Sequence, residues 1–222
     1  MVDASKPTIG YWKIRGLGAP IKYLFEYLGV EYNDVQYEQG DGPEFSRECW
    51  NSVKHTLGLD FPNNPYLIHG DLRITESHAI MRYIANKWGS AELSGKTPED
   101  KARIDMLLSV VQEFRNSTTG HFYGSGDRET IKKIAFEKFQ DIAKFLGEKE
   151  FVAGNYVTFV DFFIWEQIEL FTFVTEGEIL ARYPNLLTYH KRVGSLPKFA
   201  EYIASDRFMV RPFNNKVAKI NN

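Results

Sequence analysis

Cysteine is nearly absent from this chain of 222 residues, which contains only Cys49. A single cysteine excludes an intramolecular disulfide framework, a zinc site built from cysteines and a CxxC redox centre. Cys49 lies in the middle of a segment and not at the turn after the first strand. We therefore expect an inert, packed thiol rather than a nucleophile.

Long apolar runs and an excess of one charge are also missing. No stretch approaches the roughly 20 apolar residues of a membrane-spanning helix, and Met1–Pro7 lacks the apolar core of a signal peptide. The 27 basic and 29 acidic side chains nearly balance, so electrostatics gives no reason to expect nucleic acid or an anionic membrane as a partner. We expect a soluble, cytoplasmic globular protein.

The signatures of several common chemistries are missing as well. The five histidines include no pair with metal-ligand spacing on one helix, and the HExxH, P-loop and GxSxG patterns do not occur. Gly16-Leu-Gly18 lacks the third glycine of a dinucleotide-binding fingerprint. The sequence therefore predicts neither a metal site nor a bound cofactor.

The first third of the chain alternates strand-like and helix-like segments. Pro20 suits the first turn of a helix, the apolar residues after it have the i, i+3, i+4, i+7 spacing of one buried face, and Gly29 suits a C-terminal cap. The strand-like segments are Thr8–Tyr11, Glu31–Tyr37, Tyr66–Ile68 and Leu72–Ile74, and the helical ones begin near Pro20, Phe45 and Ser77. The order βαβαββα predicts an α/β domain with one parallel crossover and a final hairpin.

Strand signals disappear after the small, polar segment Gly89–Gly95, where we place a domain boundary. We expect residues 1–89 to form the α/β domain and residues 90–222 to form an all-helical domain with a C-terminal tail. Three residues have the type and position of helix N-caps: Thr97, Asp127 and Thr158. The segment after Thr158 is apolar on most sides, which is typical of the central helix of a domain.

Several motifs, in the right order, resemble those of the cytosolic glutathione transferases. They are Gly10-Tyr-Trp-Lys-Ile-Arg-Gly-Leu17, Leu57-Gly-Leu-Asp-Phe-Pro-Asn-Asn-Pro-Tyr66, Glu76-Ser-His-Ala-Ile-Met-Arg-Tyr83 and Val157-Thr-Phe-Val-Asp-Phe162. The insertion Gly40–Pro43 before Trp50 looks most like the mu class. The resemblance covers nearly the whole chain. It implies a thioredoxin-like N-terminal domain, an all-helical C-terminal domain, a homodimer, and glutathione as co-substrate with no further cofactor.

The resemblance implies a detoxifying enzyme that adds the sulfur of glutathione to hydrophobic electrophiles. The attacking species is the thiolate, whereas a free thiol has a pKa of about 8.5. By its place in the first motif, Tyr11 donates a hydrogen bond to this sulfur and lowers its pKa. Taken alone, Tyr11 would be interpreted as an interfacial aromatic residue.

Other positions match residues with which the family holds glutathione. Trp50 and, one helical turn later, Lys54 match a clamp for the glycyl carboxylate, although Lys54 alone would be interpreted as a solvated surface lysine. Asn64-Pro65 resembles the family's cis-proline turn, which pairs with the cysteinyl backbone. The full set implied for glutathione is Trp12, Trp50, Lys54, Asn63, Asn64, Pro65, Glu76, Ser77 and Glu113.

Three of these residues have alternatives. Ser77 stands at a helix N-terminus that suits the γ-glutamyl carboxylate, but N-capping alone would also explain it. Glu76 replaces the glutamine usual in the mu class and is interpreted as binding the ligand's amine. Glu113 matches an acidic residue that reaches this amine from the partner subunit, with a solvated helix face as the alternative.

The remaining matches concern the electrophile and the dimer. Leu17 and Tyr123 match walls of the electrophile pocket, although Ser117–His121 is more polar and more helix-breaking than the stretch usual there. The tail from Phe208 to Asn215 is expected to cover this pocket. Phe61 matches an aromatic key that inserts into the partner's helices, with packing inside its own chain as the alternative.

Two other functions are compatible with the same fold. A non-catalytic ligand-binding or crystallin-like member is one, but retention of the glutathione positions argues against it. A glutathione-dependent isomerase of the sigma class is the other, which the mu-like insertion disfavours.

Overall fold

The computed structural model describes residues 3–221, so Met1, Val2 and Asn222 at the ends of the two predicted ranges lie outside it. Its first part consists of β1 (Thr8–Trp12), α1 (Ala19–Leu28), β2 (Asn33–Tyr37), α2 (Glu48–Asn51), β3 (Tyr66–His69), β4 (Leu72–Thr75) and α3 (Ser77–Trp88). The predicted order βαβαββα is confirmed. The second strand begins two residues later than predicted, and the second helix is shorter.

The four strands form one mixed sheet in the order β2-β1-β3-β4. The strand β1 is parallel to β2 and antiparallel to β3, and β3 and β4 form a hairpin. Gly10 pairs with Tyr66, and Tyr66 pairs with Thr75. This register brings the end of β1, the residue before β3 and the residue after β4 to one edge of the sheet.

Local signals explain the first helix and its place on the sheet. Pro20 lies in the first turn of α1, and Ile21, Leu24 and Phe25 are fully buried. Gly29 ends the helix with φ 67°, a left-handed conformation that glycine adopts without steric cost. The helix α1 packs against α3 and against the central helix of the second domain, so its apolar face joins the two parts of the molecule.

The second part is all-helical, as predicted. It contains α4 (Pro98–Gly120), α5 (Arg128–Leu146), α6 (Phe159–Val174), α7 (Glu178–Arg182), α8 (Pro184–Gly194) and α9 (Pro197–Ile203), with a 3-10 turn at Ala91–Ser94 and a π-helical turn at His121–Ser125. Almost every residue of α6 is buried, which confirms it as the central helix. No helix within residues 3–221 is both long and apolar enough to cross a membrane. The boundary at residues 89 and 90 stays a prediction.

All three predicted N-caps begin helices. The Thr97 hydroxyl accepts the Asp100 N–H at 3.1 Å, and the Asp127 carboxylate accepts the Thr130 N–H at 3.0 Å. Thr158 opens α6 in a capping box with Asp161. These caps satisfy backbone N–H groups that have no partner inside the helix.

The helix α4 continues through most of the polar stretch Ser117–His121 and ends at Gly120. The hydroxyl of Ser117 donates to the Phe114 carbonyl at 2.7 Å, and that of Thr119 donates to the Arg115 carbonyl at 2.9 Å. Because these side chains bond back to their own helix, their polarity does not break it. The helix α4 ends at Gly120, and the π-helical turn that begins at His121 carries Tyr123.

The expectation of a packed Cys49 is wrong. The thiol is exposed, and its sulfur donates to the Glu38 carbonyl at 3.2 Å. The reason is the shortness of α2. In a helix of four residues only one side chain turns inward, and that position belongs to the neighbouring Trp50.

His78 lies between the two domains, in the first turn of α3. Its ring packs edge-on against Phe163 of α6, with centroids 5.1 Å apart. Its Nε2 atom is buried and has no hydrogen-bond partner among the described residues. Burial, together with the positive charges of Arg82 and Arg115, lowers the pKa of His78 to about 4.

This histidine predicts a loss of stability in acid. In the unfolded chain His78 gains its proton near pH 6.5, but in the folded protein it gains it only near pH 4. The free energy of unfolding should therefore decrease as the pH falls from 6.5 to 4. We expect a decrease of about 2 kcal/mol, less than the full pKa difference implies, because the ring is partly accessible to solvent. Denaturation of wild type and His78→Gln across this range measures the difference. Exposed His55→Gln is the control, and an unchanged acid slope in His78→Gln would contradict the prediction.

Candidate active site

Tyr11 lies near the end of β1, under the loop that leads to α1. A Cβ atom on Gly16 would lie 2.6 Å from the Tyr11 hydroxyl oxygen, and one on Gly18 would lie 2.5 Å from the Tyr11 Cδ1 atom. Gly16 also has φ 42°. The two glycines are therefore required for the loop to close over this ring.

The Tyr11 hydroxyl is buried, and its oxygen accepts the backbone N–H of Leu17 at 3.0 Å. Burial raises the pKa of Tyr11, and the positive charge of Arg115 and the Leu17 hydrogen bond partly offset this effect. The phenol is therefore protonated at neutral pH. Since its oxygen already accepts a hydrogen bond, its own proton is left to donate to a ligand.

Arg115 is a charged residue beside the site that the sequence motifs did not indicate. It is half-buried on α4 and stands four residues after the fully buried Val111. Within residues 3–221 its side chain makes no ion pair. A lone cation in an otherwise apolar helical stripe is the signal in the sequence that was available to find it.

Trp50 and Lys54 lie on one side of the site. The buried Trp50 ring stacks on Tyr66, with centroids 5.9 Å apart, and packs edge-on against Tyr37. The Tyr37 and Tyr66 hydroxyls are 2.9 Å apart and hydrogen-bonded. Lys54 is half-buried and donates its backbone N–H to the Trp50 carbonyl at 3.0 Å. This aromatic cluster gives Trp50 a fixed position.

Trp12 belongs to the same aromatic cluster and enters it from the end of β1. It is the last residue of β1, is half-buried, and packs edge-on against Tyr37, with ring centroids 6.4 Å apart. The sheet register also places Trp12 opposite Tyr37. Tyr37 therefore supports two of the predicted glutathione positions, Trp12 and Trp50.

The turn before β3 lies beside Tyr11 at the same edge of the sheet. The Asn64–Pro65 peptide bond is cis, as the resemblance implied. The exposed Asn63 accepts the Asn64 N–H through its side-chain oxygen at 2.9 Å. The Nδ2 atom of Asn64 is buried without a hydrogen-bond partner in the described chain.

Glu76 and Ser77 follow β4 at this edge. Glu76 is exposed and has φ 70° and ψ 112°, a conformation that few non-glycine residues adopt. It is the N-cap residue of α3, and buried Ser77 is the first residue inside the helix. Ser77 is therefore not the N-cap that the alternative interpretation assumed. The first N–H groups of α3 point out of this helix end, where an anion is stabilised.

Leu17 and Tyr123 stand on the side of the helical domain and the C-terminal segment. Tyr123 lies in the π-helical turn, and its hydroxyl oxygen accepts the Asn215 N–H at 3.1 Å. It is near enough to Tyr11 to add to the rise in the pKa of Tyr11. The Val217 N–H donates to the side-chain oxygen of Gln39 at 3.3 Å. The C-terminal segment thus crosses from one domain to the other beside the site.

Phe61 and Glu113 are not brought to the site within this chain. Phe61 lies between α2 and β3 and is 78% exposed, so it is not packed in its own chain as the alternative supposed. Glu113 is exposed on α4, with a carboxylate oxygen 3.9 Å from the Lys138 ammonium. Within the described part of the chain, no three His, Cys, Asp or Glu side chains are grouped so that they could hold a metal ion.

These elements define a thioredoxin-like domain joined to an all-helical domain, with candidate site residues where the two meet. Two family models match this division: "Glutathione S-transferase, N-terminal domain" matches residues 7–86 and "Glutathione S-transferase, C-terminal domain" matches residues 112–206. The crystal structure of the glutathione S-transferase Blo t 8 superimposes with a TM-score of 0.87 at 28% identity and covers 97% of this chain and 100% of that one.

Relatives with curated names lead to the same family. Glutathione S-transferase Mu 1 of Oryctolagus cuniculus is 40% identical over 209 residues, which are 92% of this chain and 94% of that protein. Glutathione S-transferase Mu 3 of Homo sapiens is 37% identical over 222 residues, which are 98% and 96% of the two chains. The chain belongs to the glutathione S-transferase family, in its mu class.

Proposed function

We propose that this protein conjugates the thiolate of glutathione to hydrophobic electrophiles, with Tyr11 as the hydrogen-bond donor to the sulfur. The observation that carries this proposal is the buried Tyr11 hydroxyl, whose oxygen accepts the Leu17 N–H at 3.0 Å. The named mu-class relatives support the reaction class. No other function is favoured by a specific feature of the site.

The donor acts by favouring the thiolate over the thiol. A hydrogen bond to an anion is stronger than one to the neutral group, and each 1.4 kcal/mol of difference lowers the thiol pKa by about one unit. The half-buried charge of Arg115 favours the anion in the same way. The thiol proton leaves to solvent, the sulfur forms a bond to the electrophilic carbon, and the leaving group departs with its electron pair.

The candidate site accommodates glutathione along the edge of the sheet. The Trp50 indole N–H and the Lys54 ammonium hold the glycyl carboxylate, and the backbone before Pro65 pairs with the cysteinyl unit as an added strand does. Ser77 and the N-terminus of α3 hold the γ-glutamyl carboxylate. The Glu76 carboxylate accepts a hydrogen bond from the amino group of glutathione. The other proposed contacts come from Trp12, Asn63, Asn64 and, across a dimer, Glu113.

The electrophile lies on the other side of the sulfur in this proposal. Leu17 and Tyr123 form its walls, and the C-terminal segment closes it. Because the Tyr123 oxygen accepts the Asn215 N–H, the Tyr123 proton is free to donate to a polar group of the electrophile or product.

The deciding experiment is conjugation of glutathione to a chromogenic haloarene by the purified protein, together with retention on immobilised glutathione. We expect turnover and retention, both competed by free glutathione. Retention without turnover on a panel of electrophiles would favour the non-catalytic alternative. A protein that does neither would overturn the proposal. We place the reaction in the cytoplasm, where glutathione keeps thiols reduced.

We also propose a homodimer in which Phe61 of each subunit enters the helices of the other. Phe61 is 78% exposed, and Met106 and Val110 of α4 are exposed at 52% and 37%. Met106 and Val110 are four residues apart and thus share a face of α4. In a two-fold dimer, a projecting aromatic side chain of one subunit can contact the apolar helix face of the other, and the same contact is made a second time in the opposite direction. A second subunit would also bring Glu113 toward the glutathione amine.

Replacing Phe61 should separate this dimer. Phe61→Ser is expected to raise the dimer dissociation constant roughly a hundredfold, since an aromatic anchor in a pocket contributes about 2–4 kcal/mol to association. Sedimentation velocity over a dilution series measures it. Val210→Ser, which alters a side chain of a residue that is 64% exposed, is the matched control and should not change assembly. A monomeric wild type, or an intact Phe61→Ser dimer, contradicts the prediction.

A further inference from the structure

The loop after β1 determines how the Tyr11 hydroxyl is presented. The Leu17 N–H occupies one acceptor position on the Tyr11 oxygen at 3.0 Å, so the single hydroxyl proton has to point elsewhere. If Leu17 moves, the hydroxyl hydrogen of Tyr11 can rotate about the C–O bond into the vacated position, and the direction of the proton is lost. The groups that fix residues 15–17 therefore control the donor.

Two backbone hydrogen bonds hold this loop from the far end of the chain. The Arg15 N–H donates to the Pro212 carbonyl at 2.9 Å, and the Gly16 N–H donates to the Phe213 carbonyl at 3.1 Å. Both acceptors belong to the C-terminal segment. The loop and this segment therefore lie side by side immediately before Leu17.

The Arg15 side chain ties the same loop to the central helix α6. Its Nη2 atom lies 2.6 Å from one carboxylate oxygen of Glu166, and its Nε atom lies within 3.2 Å of both. Its Nη1 atom donates to Glu169 and to the Val210 carbonyl, each at 3.3 Å. Arg15 is only 2% exposed, so these bonds are made in a region that excludes water.

Aromatic rings complete the surroundings of the guanidinium. Its central carbon lies 4.4 Å from the Phe213 ring centroid and 5.2 Å from that of Phe208. A planar cation with a fork of donors satisfies both the carboxylate and the rings, whereas the ammonium of a lysine cannot do both. The position is therefore specific for arginine.

We propose that Arg15 is a positioning residue for the reaction: it holds the Leu17 N–H against the Tyr11 oxygen, so that the Tyr11 proton is directed to the sulfur. This inference rests on the proposed function and adds a residue that touches neither glutathione nor electrophile. Arg15 acts through the loop, and its two anchors are α6 and the C-terminal segment.

Arg15→Lys tests the proposal because it keeps the positive charge and removes the fork. We expect the pKa of the bound glutathione thiol, followed by thiolate absorbance, to rise by about one unit, and kcat/KM at neutral pH to fall about tenfold. The KM for glutathione should stay within about twofold, because no proposed ligand contact changes. An unchanged thiol pKa would overturn the proposal.

Two comparisons separate positioning from a loss of general stability. Lys22→Met removes another buried cation, on α1, whose ammonium lies 2.7 Å from a carboxylate oxygen of Asp34. This substitution should leave the thiol pKa unchanged. In a Tyr11→Phe background, Arg15→Lys should cause no further rise in the thiol pKa, since its effect is carried by Tyr11. Additive effects in the double variant, or an equal rise in Lys22→Met, would refute positioning.

A second variant answers the case in which Arg15→Lys does not fold. Arg15→Met/Glu166→Gln leaves no buried charge unpaired at these two positions and keeps an acceptor for the Tyr23 hydroxyl, which donates to Glu166 at 2.7 Å. We expect the same rise in thiol pKa from it, and a wild-type value would overturn the proposal.

A ligand-free measurement makes this test independent of the proposed function. Titration of Tyr11 itself, taken as the difference from Tyr11→Phe, should show a higher pKa of Tyr11 in Arg15→Lys, because the Leu17 hydrogen bond that lowers it is lost. If the wild type neither binds nor conjugates glutathione, the proposed function fails while this titration still decides the positioning. An unchanged Tyr11 titration would count against positioning in either case.

Discussion

Tyr11→Phe is expected to lower kcat/KM for haloarene conjugation at neutral pH by about ten- to hundredfold. The substitution removes one hydrogen bond to a charged group, which contributes about 1.5–3 kcal/mol. The ring that fills the space beside Gly16 and Gly18 remains, so the loop keeps its support. The glutathione contacts proposed for Trp50 and Ser77 also remain, and KM for glutathione should change little.

The pH profile identifies the origin of this loss. With the donor removed, the pKa of the bound thiol should rise by about one to two units toward that of free glutathione. The rate should therefore recover as the pH is raised, because the thiol then ionises without help. Tyr183→Phe is the matched control, since it removes a half-buried hydroxyl that donates to Phe136 in the helical domain. An unchanged pH profile in Tyr11→Phe would show that Tyr11 does not stabilise the thiolate.

Asp161→Ala is expected to reduce the free energy of unfolding by about 3–5 kcal/mol. The Asp161 carboxylate is fully buried at the start of α6. It accepts four hydrogen bonds: from the backbone N–H groups of Val152 and Thr158, from the Thr158 hydroxyl and from the Tyr189 hydroxyl. Removing the acceptor leaves all four donors without this partner inside the protein, and each buried donor without a partner costs about 1–3 kcal/mol before the structure relaxes.

Asp127→Ala is a matched control on the same type of residue. Asp127 caps α5 through the Thr130 N–H at 3.0 Å, but it is exposed. Water replaces the lost bond there, and the expected cost is about 1 kcal/mol. Urea denaturation of both variants at one protein concentration compares them, because dimerisation would shift the apparent stability. Equal losses in the two variants would refute a special role for the buried carboxylate.

Local signals predicted the elements of this fold well because each depends on a few neighbouring residues. Gly29 adopts the left-handed conformation that ends α1, and Thr97 and Asp127 cap the helices that follow them. The hairpin between β3 and β4 turns at Gly70 with φ 60°. None of these features requires knowledge of a distant part of the chain.

The prediction for Cys49 was wrong because the local pattern does not reveal which neighbouring side chain takes the inward position. Cys49 is exposed because Trp50 occupies the inward position against Tyr37 and Tyr66. The five residues of α7 were not predicted as a helix, since only Ile179 among them is buried and no periodic face is present.

The candidate site was predicted from motifs, and its supporting contacts were not. The sequence motifs indicated Tyr11, Trp50 and Ser77, but gave no sign that Arg115 lies near the phenol. The pairing of Arg15 with Glu166 joins residues 151 positions apart. Such a pair is set by how two domains pack, and neither spacing nor composition determines that.

The anchoring of the Tyr11 loop also sets an order of events during synthesis. Arg15 binds the carbonyl of a residue 195 positions later. At about 5–20 residues per second, a ribosome needs roughly 10–40 s to make the chain between them. The loop that presents Tyr11 is thus translated well before its C-terminal partners exist. A nascent chain that has not yet reached Val210 contains Glu166 of α6 but lacks the C-terminal anchor of this loop.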